Sequence, residues 1–358
     1  MESATSTQRS VGRGHQYGGF DVIVTPSRLE GQRTEGVRRM GTAGAAVGKG
    51  VATSATKRGV VQLGVALTHC SFVLGAILLK TSMKHIDPTK HEVFHPIVYA
   101  FFREISAAPV LFLLSVATLG YRLPQRGDAV KVFGLGLCMF LSQLLYIMGV
   151  DMAGVLMASC IQPSVPVFTV MLALFLGSET GSARKMVGIL LAVLGAMCMV
   201  VGSIHDAKDG ASGVGTSPYL GDVCILVNAI AMAVYYLLAK KLVAKYSAIH
   251  VATWAYTVAA TLMGMAAMVW TRPTDWVFPK AMVGPLVYWI FVCSVGGYLV
   301  VTYAMNHLPA SQVASFQCLQ PFVGAALAVM VLGERVNTYD LGAFGIVIGL
   351  LMVTRGGG

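Results

Sequence analysis

The sequence predicts an all-α membrane protein whose ten transmembrane helices form two inverted five-helix repeats. Hydrophobic residues make up 56% of the 358 residues and charged residues only 12%, whereas about a quarter of a soluble globular chain is charged. Many separate apolar stretches follow a polar N-terminal segment, and the second half of the chain repeats the first. Such a chain lacks the polar shell that a soluble core needs, which indicates that its surface faces lipid.

The N-terminal segment over residues 1–59 differs in composition from the rest of the chain. It is rich in Ser, Thr, Gly and Arg and lacks helical periodicity, so we expect a disordered tail. It carries nine of the 26 Lys and Arg residues behind the net charge of +10. The others lie mostly between apolar stretches, and no basic stripe alternates with aromatic residues. The charge therefore does not indicate a nucleic-acid partner.

Ten apolar stretches are long enough to cross a bilayer, which takes about 20 residues at 1.5 Å each. The predicted spans are residues 60–79, 94–119, 130–150, 153–177, 184–202, 219–239, 249–270, 282–303, 308–332 and 338–354. They predict a first repeat over residues 60–202, a linker over 203–218 and a second repeat over 219–354.

The distribution of basic residues predicts the orientation. With a cytoplasmic N terminus, twelve Lys and Arg near the spans fall on the cytoplasmic side and seven on the other side. Because cytoplasmic loops carry the excess of Lys and Arg, we expect both termini in the cytoplasm. We expect the plasma membrane or an endomembrane; the Ser- and Arg-rich tail leaves the plastid envelope open.

The internal repeat aligns residues 146–180 with residues 301–335 at a constant shift of 155. An odd number of spans in each repeat makes the second copy enter the membrane from the opposite side. Inverted repeats of this kind build transporters whose binding site lies near the midplane, where the halves meet. A duplicated stability device without transport remains the alternative.

Matching prolines interrupt spans 4 and 9. Pro166 and Pro321 remove the backbone hydrogen bonds to Gln162 and Gln317, one turn earlier, so we expect freed carbonyl groups beside two side-chain amides. Two further residues make these stretches irregular and polar: Pro163 and Gln320. One interpretation is two half-sites for a polar solute, with the prolines as helix breaks or gates. The other is that each glutamine hydrogen-bonds a neighbouring helix.

Arg103 and Glu104 lie inside span 2, where each charge costs about 2.5–3.5 kcal/mol on insertion scales. Adjacent helical residues point about 100° apart, so we do not expect the two to pair simply with each other on one face. Arg103 either binds an anionic group or serves a gate, or it forms a structural ion pair with the Glu104 region or another helix.

Polar residues in other spans are candidates for the wall of a solute cavity: Thr68, His69, Tyr146 and Asn228. Aligning the lysines at the ends of spans 1 and 6, Lys80 and Lys240, places Thr68 on Asn228. An interhelical hydrogen bond is the alternative role for each. His69 could also relay protons, because a histidine side chain titrates near neutral pH.

The run His91-Glu92-Val93-Phe94-His95 matches the HExxH pattern of zinc proteases. Pro96 follows at once and disfavours helical geometry at His95, so a membrane metalloprotease is a minor alternative. The seven Cys residues lie within apolar stretches and form no CxxC pair, which argues against a metal site or a disulfide framework. No nucleotide-binding motif is present. We expect no enzyme activity, metal or cofactor.

These residues resemble the drug/metabolite transporter superfamily, specifically the EamA-type proteins built from two five-helix repeats. Two motifs are similar to the plant nodulin-like, walls-are-thin-related branch: Tyr99-x-x-x-Arg103, and Gln143-x-x-Tyr146-x-x-Gly149 followed by the Pro166 helix and Glu179. Two others are similar to the general EamA pattern: Gly221-Asp222, which opens span 6, and LQPFVGAALAVMVLGE over residues 319–334. The resemblance covers residues 60–354.

The resemblance implies export or facilitated movement of a solute, and we expect secondary transport by alternating access. The solutes it implies are amino acids, nucleobases, auxin-like acids or other organic metabolites. Only Arg103 is clearly buried, so doubly charged phosphates are disfavoured. A channel or ion carrier on the same scaffold is the alternative. The implied partners are a small solute and membrane lipid; a coupling proton and a homodimer stay open.

Overall fold

The computed structural model describes residues 55–86, 94–120, 122–206, 218–332 and 341–355. All of them belong to a unit that spans residues 53–358, and their regular elements are all helical. The predicted disordered tail lies almost wholly outside the described residues. The first helix begins at Ala55, five residues before the predicted span.

The first half of the described chain contains five helices: α1 (Ala55–Met83), α2 (Pro96–Leu119), α3 (Ala129–Ile161), α4 (Val165–Phe175) and α5 (Ala183–Asp206). A 3₁₀ turn over Gln162–Ser164 joins α3 to α4. Another, over Arg126–Asp128, leads into α3.

The second half contains seven helices among the described residues: α6 (Pro218–Val243), α7 (Ala248–Trp270), α8 (Val283–Tyr288), α9 (Tyr298–His307), α10 (Ala310–Ser315), α11 (Leu319–Leu332) and α12 (Gly342–Arg355). A π-helical stretch over Trp289–Gly297 joins α8 to α9. A 3₁₀ turn over Phe316–Cys318 joins α10 to α11. Short 3₁₀ turns over Pro273–Trp276 and Lys280–Met282 precede α8.

Six described helical stretches are long and apolar enough to cross a membrane: Lys57–Met83, Pro96–Leu119, Arg126–Ala153, Tyr219–Val243, Ala248–Trp270 and Lys280–His307. Gln162–Phe175 and Phe344–Arg355 are shorter apolar helices. These helices agree with the prediction of an all-α, multi-pass membrane protein. The count of ten spans stays a prediction.

Proline and glycine set the ends of α2. His95 adopts an extended conformation (φ −107°, ψ 118°), and Pro96 occupies the first helical position, where its missing N–H leaves no hydrogen bond unmade. Gly120 ends the helix with φ 77°, in the region that favours glycine. The Gly120 carbonyl lies 3.1 Å from Nε2 of His250 in α7, so this helix end is tied to the second half.

Helix α3 packs antiparallel to α6. Gly134, near the start of α3, faces Leu238 near the end of α6, and Ala153 lies against Gly221 at the start of α6. Helical hydrogen bonding continues beyond Ala153 to Ile161. Residues 151–152, which separate the predicted spans over 130–150 and 153–177, are therefore helical.

The chain nevertheless reverses direction after Ala153. A straight rod would place Gln162 about 14 Å beyond Ala153, past the beginning of α6. Instead, Gln162 lines the same cavity as Tyr236 in the second half of α6, and α4 packs against α6. The reversal between Ala153 and Gln162 produces two antiparallel rods, which correspond to the predicted spans over 130–150 and 153–177.

The neighbours of each helix define two ends of the bundle. In α1, Gly64 faces Val300 and Gly75 faces Trp289, so α1 runs antiparallel to the π-helical stretch and α9. We call the end where α1 begins the first end; α2, α6 and α9 finish there. We call the opposite end of the bundle the second end. Helix α1 ends at this second end, and helices α2 and α6 begin there.

Glycines bring α5 and α12 into close contact. A Cβ atom added at Gly188 would lie 2.8 Å from the carbonyl oxygen of Gly349, and one added at Gly345 would lie 3.2 Å from Cα of Gly195. Small residues let membrane helices approach this closely, because packing drives their association. None of the described cavity-lining residues comes from this pair, so α5 and α12 form a scaffold beside the site.

Candidate functional site

A cavity of about 840 Å³ lies between α1, α2, α3, α6 and the segment from α8 to α9. Its mouth is at the second end, where Lys80, Met83, Phe94 and Asp151 line it near the helix termini. Its wall extends toward the first end as far as Tyr236 and Gln317 in the second half. A volume of this size matches sites for small organic molecules.

Seven of the eight predicted solute-binding residues line this cavity: His69, Arg103, Tyr146, Gln162, Asn228, Gln317 and Gln320. The eighth, Thr68, is buried and donates a hydrogen bond of 2.9 Å to the Gly64 carbonyl of its own helix, away from the described lining. The structure therefore brings most of these side chains together. Their role in binding stays a prediction.

The two proline-containing helices change geometry close to their prolines. The 3₁₀ turns over Gln162–Ser164 and Phe316–Cys318 precede Pro166 and Pro321. The carbonyl of Gln162 accepts a hydrogen bond from Val165, and that of Gln317 accepts one from the residue-319 amide. The prediction that these two carbonyl groups would lack a hydrogen bond is therefore wrong. In the tighter 3₁₀ turn, a backbone N–H group earlier in the chain than the proline donates to each of them.

Pro163, the remaining predicted break residue, is buried within the first of these turns. The second turn has Cys318 at the matching place in the repeat. The two turns therefore share their tight geometry and lie within one residue of matching positions in the repeat, although only one of them contains a proline.

The glutamine side chains differ in their bonding. Gln317 Nε2 donates to the Tyr236 hydroxyl over 2.9 Å, and Gln320 Nε2 lies 3.1 Å from His69 Nδ1. If the Gln320 amide donates here, Nδ1 of His69 accepts and the ring proton sits on Nε2. Gln162 Oε1 is buried without a partner in the described part of the chain. In the half-site of the second repeat the glutamine side chains are hydrogen-bonded, whereas in that of the first repeat Gln162 Oε1 has no partner among the described residues.

Like Gln162 Oε1, several other buried polar atoms of the cavity wall lack a hydrogen-bond partner among the described residues. Those without a hydrogen-bond partner among the described residues are His69 Nε2, Tyr99 OH, Arg103 Nε, both amide atoms of Gln143, Asn228 Oδ1 and Trp289 Nε1. Most buried polar atoms in proteins have a partner. The residues that carry these atoms are therefore candidates for contact with a solute.

Arg103 and Glu104 pair directly, with 3.2 Å between Arg103 Nη2 and Glu104 Oε1. The alternative of a structural ion pair in the Glu104 region is therefore confirmed, and helix geometry does not keep the two apart, because the long arginine side chain bends back to reach the carboxylate. The guanidinium carbon also lies 5.6 Å from the centre of the Trp289 ring, within the range of a cation–π contact.

The family model described as the EamA-like transporter family matches this chain twice, over residues 63–201 and 219–355. The two matches together cover more than half of the chain. The chain belongs to the EamA-like transporter family.

Proteins similar to this EamA-like chain include two that are described as transporters. An uncharacterized transporter of Archaeoglobus fulgidus is 23% identical over 295 residues, which cover 82% of this chain and 96% of the relative. The uncharacterized transporter YyaM of Bacillus subtilis is 24% identical over 264 residues, which cover 72% and 84%. The similarity confirms the prediction of a multi-pass membrane transporter.

A solved crystal structure is similar to this EamA-like chain in fold. It aligns with a TM-score of 0.63 and 15% sequence identity over 83% of this chain and 96% of its own. The narrower resemblance to the plant nodulin-like branch stays a prediction. His91, Glu92 and Val93 of the HExxH match lie outside the described residues.

Sequence reasoning missed Trp289 as part of the wall of this EamA-like protein. Trp289 lies in the π-helical stretch, and Gly75 of α1 makes room for it, because a Cβ atom there would lie 3.0 Å from the indole ring. Hydrophobic periodicity gives no sign of a π-helix inside an apolar run. The pair Gly296-Gly297 was the one local sign of irregular helix geometry.

A second missed feature is the bonding of Glu179 at the first end. Its carboxylate accepts hydrogen bonds from the ammonium group of Lys185, the hydroxyl of Ser311 and, at 3.2 Å, the backbone N–H of Ser311. Burial raises the pKa of Glu179, but the hydrogen bonds from Lys185 and Ser311 outweigh it, so the pKa lies below its usual value. Glu179 therefore ties the connection between α4 and α5 to the start of α10.

Lys240 makes a similar tie from α6. Its ammonium group donates to the carbonyl oxygens of Met305 and Leu308, the latter over 3.0 Å. Met305 lies in the last turn of α9 and Leu308 directly follows the helix, where helical partners run out. Lys240 therefore satisfies a helix C-terminus and fixes it to α6.

Asp128 links two connections at the same end. It accepts hydrogen bonds from Lys131 over 2.7 Å, from Lys245 over 3.1 Å and from the Tyr246 hydroxyl over 3.0 Å. The bonds from Lys131 and Lys245 lower the pKa of Asp128 to about 2. The turn before α3 is thereby joined to the connection between α6 and α7.

Proposed function

We propose that this protein is a secondary transporter that binds a small polar organic solute in the cavity and moves it by alternating access. Amino acids, nucleobases and organic acids are the classes that fit. The observation that carries the proposal is a cavity wall with buried donors and acceptors that lack partners among the described residues. Apolar side chains and lipid offer such groups no hydrogen-bond partner, so a polar solute in the cavity is a candidate partner.

The solute would meet two kinds of surface. Gln143, Gln162 and Asn228 present amide groups from α3, the 3₁₀ turn and α6. Arg103 and Trp289 present N–H donors from α2 and the π-helical stretch. The wall therefore suits a solute with hydrogen-bond acceptors on one side and a mixture of donors and acceptors on the other.

Alternating access is supported by the contrast between the two ends. The cavity reaches the second end, while Glu179 and Lys240 tie helices together at the first end. These ties are hydrogen bonds between separate elements, which can break without unfolding a helix. Since the family model matches the two halves in turn, we infer that the halves exchange roles when the cavity closes at the second end.

The predicted membrane orientation indicates the side of the membrane to which the cavity opens. With both termini in the cytoplasm, the first end faces the cytoplasm and the cavity mouth faces away from it. The predicted spans and repeat bounds carry this part of the proposal.

Counterflow in proteoliposomes tests the proposal. Vesicles that contain the full chain are loaded with one unlabelled amino acid, nucleobase or organic acid, and uptake of the same labelled solute is measured from outside. We expect saturable uptake for at least one class, stimulated by the internal solute, because a carrier returns faster when it is loaded. Non-saturating uptake with ohmic current would indicate a channel and overturn the carrier mechanism.

A further inference from the structure

Glu104, the ion-pair partner of Arg103, is buried deep in α2, although solute binding by Arg103 alone does not require a buried carboxyl group. Glu104 lies eight residues after Pro96, hence about 12 Å along α2 from the second end. Its side chain is fully enclosed, whereas that of Arg103 is 16% exposed and lines the cavity. The carboxyl group therefore sits behind the guanidinium group as seen from the cavity.

The Glu104 carboxyl depends on a single ion-pair partner. Its Oε1 accepts from Arg103, and its Oε2 has no hydrogen-bond partner in the described part of the chain. A buried carboxylate normally needs an ion pair and further hydrogen bonds to remain ionised. Without Arg103, the favoured form of this group is therefore the protonated one.

The other groups around Glu104 carry no full charge at neutral pH. Tyr256 from α7 and Tyr298 from α9 interact electrostatically with both Glu104 and Arg103. Cys293 from the π-helical stretch and Tyr99 of α2 interact with Arg103. Among the described residues, the ion pair of Glu104 is with Arg103. Arg103 is thus the one cation that faces this carboxylate in the described chain.

We propose that a solute carboxylate competes with Glu104 for Arg103, so that the protein binds one proton together with each carboxylate. This proposal rests on the proposed transport function and names a solute class and a coupling ion for the same cavity. Arginine binds carboxylates through two parallel hydrogen bonds, and Arg103 reaches the cavity with Nε unpartnered among the described residues. The incoming carboxylate takes over the guanidinium group.

The exchange conserves charge. Before it, the site contains the Arg103 cation and the Glu104 anion. Afterwards, it contains the same cation, the solute anion and neutral Glu104, whose carboxyl oxygen has bonded a proton from water at the cavity mouth. Release on the other side reverses both steps. The protein thus moves one proton and one monocarboxylate in the same direction with no net charge.

Coupling of one proton to each carboxylate predicts that uptake responds to a pH gradient but not to membrane potential. A pH gradient drives carboxylate uptake, because proton and anion travel together, whereas membrane potential does not. An uncharged solute leaves the Arg103–Glu104 pair intact and carries no proton. A matched pair of solutes that differ only in a carboxylate or carboxamide group therefore separates coupling from binding.

The experiment uses proteoliposomes of the full chain with a pH-sensitive dye inside. The probes are gluconate and gluconamide, together with nicotinate and nicotinamide, and protein-free vesicles correct for passive entry. With acid outside, we expect carboxylate uptake to rise at least tenfold, with about one proton entering per carboxylate. A potassium diffusion potential should change the rate less than twofold. Carboxylate uptake driven by potential with no proton entry would overturn the proposal.

The variant Glu104→Gln removes the proton site and keeps the shape of the side chain. We expect the tenfold effect of the pH gradient on carboxylate uptake to fall below twofold and the uptake to become sensitive to potential, because the anion then crosses alone. Asp275→Asn, in the exposed 3₁₀ turn before α8, should retain the wild-type effect. Full pH-gradient dependence in Glu104→Gln would overturn the proposal.

The wild-type measurements decide the matter even when the variant fails to fold. A proton-to-carboxylate ratio near one supports the coupling, and a ratio near zero overturns it. Carriage of the amides without their carboxylates would overturn this inference and leave the transport function standing. Failure of every solute class in counterflow would instead remove the transport function itself.

Discussion

Lys240 and Lys80 occupy matching places in the two halves but are in different surroundings. Lys240, near the end of α6, donates to two carbonyl oxygens at the C-terminus of α9 at the first end. Lys80, near the end of α1, is exposed at the cavity mouth at the second end. The same residue type is thus tied at the closed end and exposed at the open end.

This difference extends to the polar groups around the two lysines. At the first end, Glu179 accepts hydrogen bonds from Lys185 and Ser311. Along the cavity, Gln143 and Gln162 keep amide atoms without partners among the described residues. Polar groups therefore satisfy each other where helices meet and remain available where a solute is expected. In the proposed transport cycle, the hydrogen bonds at the first end would break as the cavity opens there, and polar groups at the second end would pair as it closes.

The largest expected effect comes from removing the cavity amides. In the double variant Gln162→Ala and Gln317→Ala, we expect solute uptake to fall about tenfold or more, since two hydrogen bonds to the solute of about 1 kcal/mol each are lost. Membrane insertion should stay intact. Initial rates of counterflow, normalised to reconstituted protein, provide the measurement.

Gln62→Ala serves as the control, because this α1 glutamine lies outside the described cavity lining. The single variants should also differ. Gln317→Ala leaves the Tyr236 hydroxyl without its partner and lowers thermal stability, while Gln162→Ala lowers uptake alone. Unchanged uptake by the double variant would remove both half-sites.

The closed end can be loosened with Glu179→Gln. Charged hydrogen bonds are worth about 1.5–3 kcal/mol, so we expect hydrogen exchange in residues 308–315 to accelerate by about tenfold or more. Hydrogen exchange of the intact protein, read by mass spectrometry, measures this. Residues 250–260 of α7 provide an internal reference that should not change. Equal exchange in variant and wild type would show that Glu179 does not hold the first end closed.

The two lysines themselves allow a matched test of thermal stability. Lys240→Met leaves the Met305 and Leu308 carbonyls without their donor, and we expect a loss of about 1–3 kcal/mol in the free energy of unfolding. Lys80→Met, at an exposed position, should change it by less than about 0.5 kcal/mol. Melting of the detergent-solubilised protein gives both values, and equal losses would contradict the contrast between the ends.

The smallest effect concerns Asp128 and pH. Its pKa of about 2 in the folded protein lies below the ordinary value of about 4, so its bonds stabilise the fold above pH 4 and are lost as pH falls toward 2. The difference in melting temperature between wild type and Asp128→Asn should be constant from pH 7 to about 4 and shrink below that. A difference that grows on acidification would contradict this assignment.

The sequence predicts those parts of the fold that depend on local composition. Apolar stretches mark the membrane helices, and the matched Pro166 and Pro321 mark the stretches where helical geometry tightens, because proline removes a specific hydrogen bond wherever it occurs. The hydrophobic pattern also predicted two antiparallel rods around Ala153. It did not predict that helical bonding continues through the reversal, which depends on how the turn packs against α6.

The side-chain partners were less predictable, because they depend on tertiary packing and side-chain conformation. Glu179 and Ser311 are 132 residues apart, and nothing local to either indicates the other. Arg103 and Glu104 are adjacent, yet their pairing depends on the path of a flexible side chain rather than on helix geometry. The residues that gather on the cavity wall were predicted as a group, whereas their bonding was not.

The π-helical stretch over Trp289–Gly297 has a consequence for how related proteins diverge. Each π turn accommodates one residue more than an α turn. Deleting a single residue there would restore α geometry and rotate everything that precedes it by about 100° relative to α9. Trp289 would then leave the cavity wall while the rest of the bundle stayed in place. A one-residue insertion or deletion at this point is therefore a short evolutionary route to a different solute preference.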